Sequence, residues 1–161
     1  MGGKIYVNTG MFTEGIVTSE EELAAVVSHE IAHVTARHKH EMMSQLGLVK
    51  AGSGIASLGT TIATGGMING AAPSMSGQVY AWKREKEAEA DHIGIIYMAN
   101  AGFDPQAAIT VMEKMAAMDL GGGSSQPWNS THPSSLERLD ALHSYLEEAN
   151  AAYEKAKELQ F

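Results

Sequence analysis

The feature that most limits what this chain can become is His29-Glu30-Ile31-Ala32-His33, set in a run from Glu20 to Lys39 that reads as one helix. Residues four apart on a helix stand one above the other on the same face. His29 and His33 can therefore aim two imidazole nitrogens at a single metal ion. Glu30 follows the first of them, where its carboxylate can reach a water on that metal. The run has a strong start. Both Thr18…Glu21 and Ser19…Glu22 fit a capping box, and Glu20, Glu21 and Glu22 suit the positive end of the helix dipole. Leu23, Val26, Val27, Ile31 and Val34 supply enough apolar positions for the helix to be largely buried.

H-E-x-x-H on a helix is the ligand-and-base pattern of zinc peptidases. It arises by chance in well under about one chain in a hundred of this length. The competing reading is an ordinary amphipathic helix with histidines on its wet face. A catalytic zinc needs three protein ligands and one open position. With no cysteine in the chain, the third must be His, Asp or Glu. Arg84-Glu85-Lys86-Glu87-Ala88-Glu89-Ala90-Asp91-His92 offers Glu87 and Asp91 on one helix face, with Ala88 and Ala90 leaving room for close packing. Taken alone, such a charge run is usually a salt-bridged surface helix. His38, His40 and His92 have no metal-binding spacing and read as structural, and His143 as solvated.

A chain of 161 residues can bury one core. Its net charge of −8 argues against nucleic acid and against anionic lipid. Lys4 to Asn8 alternates like a short strand. Leu46 to Met75 is rich in Gly, Ala, Ser and Thr, and we expect residues 46–78 to form a mobile insertion over a cleft. Its length approaches a membrane span, but its glycines and hydroxyls make a poor one. Ser76 to Ala99 is helical in pattern, with Gly102 as its C′ residue. Asp104-Pro105 opens a helix through Leu120. Gly121 to Ser125 is a loop, and Ser134…Glu137 caps a last helix whose Glu147–Gln160 end reads as exposed.

HEIAH followed some fifty residues later by Glu-x-x-Ala-Asp resembles peptidase family M48, which includes the HtpX membrane proteases and the CAAX prenyl proteases. Gly2-Gly3-Lys4-Ile5-Tyr6-Val7-Asn8-Thr9-Gly10 is similar to the strand and turn before that family's active-site helix. His33-Val34-Thr35-Ala36-Arg37-His38 continues the motif as members do. Ser130-Thr131-His132-Pro133, with Arg138 beyond, resembles the closing motif. The resemblance implies a mostly helical α+β zincin (gluzincin) metallopeptidase fold, with a small sheet flanking the active-site helix. It implies one zinc per chain on His29, His33 and Glu87, with Glu30 as general base. Asp91 would accept a hydrogen bond from a ligand histidine. His132 and Arg138 would face the substrate carbonyl, and His132 is also a candidate to reach the metal.

The implied reaction is hydrolysis of peptide bonds in extended or unfolded polypeptide, which would pair with Lys4–Asn8 by strand addition. The implied role is envelope protein quality control. The lack of a clear membrane helix points to the soluble periplasmic branch, at or near a membrane. We expect a single catalytic domain, 1–161, lacking its N-terminal portion and its targeting segment. The rival reading is a latent, chaperone-like binding module.

Overall fold

The computed structural model describes residues 4–44, 73–120, 132 and 136–159. It is mostly helical. Helix α1 (Gly10–Thr13) is one turn, opened by Asn8, whose Oδ1 accepts from the Gly10 N–H at 2.8 Å. Gly15, at φ 75°, reverses the chain, and Met11, Ile16 and Val17 fall into the core. The expected strand at Lys4–Asn8 is not formed among the described residues. The alternation survives as burial, with Ile5 and Val7 turned inward and Tyr6 80 % exposed, but no neighbouring strand is described for it to pair with.

Helix α2 (Glu20–Thr35) starts at Ser19, whose side chain accepts from the Glu22 N–H. Of the two overlapping capping boxes, Ser19…Glu22 is the one used. Glu22 reaches back to accept from the N–H and hydroxyl of Thr18 at 2.7 and 2.8 Å, and it pairs with Lys114. The helix is shorter and less buried than its sequence suggests. It stops at Thr35, because Arg37 takes a left-handed φ of 58°, and residues 38–44 begin a new helical stretch. Ile31 and Val34 are exposed, and Ala25, Ser28 and Ala32 are the residues buried beside Glu22.

Helix α3 (Pro73–Asn100) lies against that small-residue face. A Cβ on Gly94 would stand 3.0 Å from the His29 Cα and N, so the two backbones approach closely where glycine is the easiest residue to place. Helical pattern from Ser76, within the expected insertion 46–78, places the start of this helix three residues late: it runs from Pro73, and residues 46–72 of that insertion lie outside the described residues. The end of α3 is a Schellman cap, as Gly102 leads one to expect. Gly102, at φ 84°, donates to Ala99 O and Phe103 donates to Met98 O.

Asp104 Oδ1 accepts from the Gln106 N–H at the start of α4 (Gln106–Leu120). Helix α5 (Leu136–Leu159) packs along α3 and buries Arg138, Leu142 and Ala149. The far end of α5 is charged as expected, yet one face is tied down by Ala149 and Ala156. Helix α4 packs against both α2 and α5. Its Ile109, Val111, Met112 and Met115 join Met11, Ile95, Met98 and Leu142 in one core. No described helix is long and apolar enough to cross a membrane.

Candidate metal centre

The close packing of α2 on α3 brings the two acidic and basic motifs face to face. His29 Nε2 and His33 Nε2 are 3.0 Å apart. Glu87 reaches between them, with Oε2 3.4 Å from His29 Nε2 and Oε1 3.5 Å from His33 Nε2. Ligands about 2.0–2.1 Å from a tetrahedral zinc stand about 3.3–3.4 Å from each other, so these spacings suit such an ion. A fourth donor joins from the approach to α5. His132 Nδ1 lies 3.0 Å from Glu87 Oε2 and 3.4 Å from His29 Nε2, and its Nε2 lies 3.3 Å from Glu30 Oε1. Among the described residues, donor atoms of His29, His33, Glu87 and His132 all lie within 4.8 Å of one another.

Behind this cluster stands a buried acid–base pair. Asp91 Oδ1 is 2.9 Å from His29 Nδ1, the nitrogen facing away from the cluster. Arg138 grips Asp91 with two bonds of 2.7 Å and places Nη1 3.3 Å from Glu87 Oε2. Arg138 was expected to face a substrate carbonyl. Its guanidinium instead points at Asp91 and Glu87, because two buried carboxylates need a cation more than an open cleft does. It also lines the adjoining pocket.

The same contacts set the protonation of the site. Burial opposes charge on His29, but hydrogen bonds to Asp91 and Glu87 outweigh it and raise the pKa to about 9. His33 moves the other way, to about 3, through burial and then repulsion from His29. Burial pushes Glu87 towards its neutral form, yet its bonds to His132 and His29 hold it well below the usual carboxylate range. Asp91 is likewise held down, against burial, by Arg138 and His29. The buried acids thus create a demand for positive charge at His29, which a proton or a divalent cation can meet.

A pocket of about 430 Å³ opens beside His29 and Glu30. Its wall is largely apolar, from Met11, Val26, Ile95, Met112 and Met115, while Tyr6, Val7 and Asn8 form one rim. Two participants escaped sequence reasoning. His38, read as structural, is buried with its Nδ1 2.8 Å from His33 Nδ1, a contact made by the reversal at Arg37. Lys114 ties α4 to Glu22, and nothing in the sequence signals so distant a pairing. His92 stacks on Tyr145, while His40 and His143 are exposed. Thr131, Pro133 and Ser134 lie outside the described residues.

Comparison with known proteins bears on the whole chain. The model of Peptidase family M48 matches residues 1–146. The mitochondrial metalloendopeptidase OMA1 of Schizosaccharomyces pombe is 35 % identical over 154 residues, covering 95 % of this chain and 44 % of its own. OMA1 of Saccharomyces cerevisiae is 33 % identical, over 96 % of this chain and 44 % of its own. The beta-barrel assembly-enhancing protease of Escherichia coli K12 is 30 % identical, over 86 % of this chain and 29 % of its own. The chain spans less than half the length of these curated relatives. No solved structure gives a significant match. A match running from the first residue into the last helix is too extensive to rest on the HEIAH motif alone, and the chain belongs to peptidase family M48.

Proposed function

We propose that this chain is a zinc-dependent metalloendopeptidase of the gluzincin type, binding one zinc on His29, His33 and Glu87. The observation that carries this reading is the convergence of two imidazole nitrogens and one carboxylate from two helices, with Glu30 alongside. Zinc, when bound, supplies a Lewis acid that polarises the scissile carbonyl and acidifies water. Glu30 takes the proton of the attacking water and hands it to the leaving amine. Asp91 keeps the far nitrogen of His29 protonated, which fixes the tautomer whose Nε2 lone pair faces the cluster. Arg138 keeps Asp91 ionised. His132 Nε2 donates to the oxygen that gains charge as the carbonyl becomes tetrahedral.

The substrate is extended polypeptide. Tyr6, Val7 and Asn8 of the extended Lys4–Asn8 segment line the pocket, a placement that suits strand addition by a peptide. The apolar, methionine-walled pocket favours a large apolar side chain next to the scissile bond. We assign the activity to quality control in the bacterial envelope, a reading supported by the beta-barrel assembly-enhancing relatives. The mitochondrial relatives match as much of the chain, so the likeness speaks to the chemistry and not to the compartment.

The test is cleavage of unfolded casein by the zinc-loaded chain, with and without chelator. Glu30→Gln should lower turnover by about 10²–10⁴-fold while zinc content stays at one per chain. Wild-type turnover in that variant would overturn the mechanism. A second reading, a latent binding module, is favoured by His132 lying inside the ligand cluster. It predicts binding of casein without cleavage, even with zinc at full occupancy.

A further inference from the structure

We propose that His38 is a positioning residue for the metal, holding the ring of His33 as Asp91 holds that of His29. The proposal rests on reading His29, His33 and Glu87 as a metal site. The geometry then assigns every proton. His33 Nε2 faces His29 and Glu87, so it must offer a lone pair to the ion, and its Nδ1 carries the hydrogen. That nitrogen is 2.8 Å from His38 Nδ1, so His33 donates and His38 accepts. His38 must therefore carry its own hydrogen on Nε2, which is buried without a hydrogen bond and faces Glu89 Oε2 at 3.3 Å.

Three features support a role beyond filling space. His38 is 4 % exposed, and a buried imidazole there needs polar groups facing both nitrogens, His33 on one side and the Glu89 carboxylate at 3.3 Å on the other, which an apolar side chain would not need. The backbone bears a further cost, since Arg37 adopts φ 58° to turn His38 back over His33. The turned segment is also clamped: Lys86 of α3 pairs at 2.9 Å with both Glu89 and Glu41. Glu87, Glu89 and Asp91 thus share one helix but do different work. Glu87 enters the cluster, Asp91 backs one ligand directly, and Glu89 lies behind the other through an imidazole.

The experiment compares His38→Leu with His38→Asn. Leucine fills buried volume without accepting a hydrogen bond, whereas asparagine keeps an acceptor. Zinc affinity is read by chelator competition, and the unfolding midpoint of the metal-free protein by circular dichroism. We expect His38→Leu to bind zinc about 10–100-fold more weakly with an unchanged or raised midpoint. His38→Asn should recover most of that affinity. Wild-type affinity in His38→Leu would overturn the proposal. Nitrogen NMR of the zinc-loaded wild-type chain tests it without any substitution. The expected signature is His33 protonated on Nδ1 and His38 protonated on Nε2; a His38 protonated on Nδ1 would overturn it. A wild-type chain that takes up no zinc would instead sink the metal site itself.

Discussion

Asp91 and Glu87 are two buried carboxylates one helical turn apart, and what each touches decides its work. Asp91 spends both oxygens on Arg138 and one of them on His29 as well, so it has no free side for an ion. Glu87 meets three imidazoles with one corner of Arg138 behind it. Arg138→Ala should therefore cost about 3–5 kcal/mol, because it strands a buried charge, and urea unfolding of the metal-free chain measures this. Asp91→Asn should cost less in stability and about 10–100-fold in zinc affinity, since an amide can present its nitrogen to His29 as well as its oxygen. Equal zinc affinity in that variant would mean that Asp91 serves the fold alone. The pairing of His29 with His33 was legible in the sequence because a helix fixes i, i+4 neighbours. The direction of Arg138 was not, because it follows from a carboxylate on another helix.

At the scale of elements, the site depends on how closely α2 and α3 approach. Gly94 sits over the His29 backbone, where a Cβ would stand 3.0 Å from backbone atoms, so Gly94→Ala should move the helices apart by a few tenths of an ångström beneath His29. The expected cost is about 1–3 kcal/mol, as for other overpacked interiors. Weakened zinc binding should accompany it, measured on the same samples. The start of α2 gives a pH prediction. Burial raises the Glu22 pKa, but Lys114 and Thr18 outweigh it, so the folded value lies below the ordinary 4.5. A depressed carboxylate stabilises the fold above that ordinary value and loses the contribution as pH falls through the folded one. Glu22→Gln should flatten the acid limb of stability against pH below about 4.5 and lower stability at neutral pH by about 1–2 kcal/mol. Caps such as Ser19 and Gly102 are local and could be read ahead. The stop at Thr35 could not, because Arg37 carries no glycine or asparagine signal for its left-handed turn. Lys4–Asn8 shows the converse case: alternation reveals which side chains turn inward but says nothing of whether a partner strand lies beside it.

For the whole molecule, the candidate metal-binding residues lie on three separate stretches: α2 gives two, α3 one, and residue 132 lies ahead of α5. An ion held there adds a further tie between elements already joined by packing and by the ion pairs of Asp91, Arg138 and Lys114. It binds the folded chain, and the unfolded chain cannot assemble the same set. At free zinc one hundred times the dissociation constant, linkage adds about 2.7 kcal/mol of stability. For a domain of this length, each kcal/mol moves the unfolding midpoint by about 2–4 °C, so chelation should lower it by about 5–10 °C. The shift should depend on the ligands and not on the catalytic carboxylate. Glu30→Gln should show the full shift, and His33→Ala almost none. Glu87→Ala separates the two contributions of a buried acid. It should lose the zinc-dependent shift, while its metal-free midpoint also drops, because His29 and Arg138 both lose a partner. A Glu87→Ala chain that keeps the full zinc-dependent shift would move the third ligand elsewhere, and His132, 3.4 Å from His29, would be the first candidate.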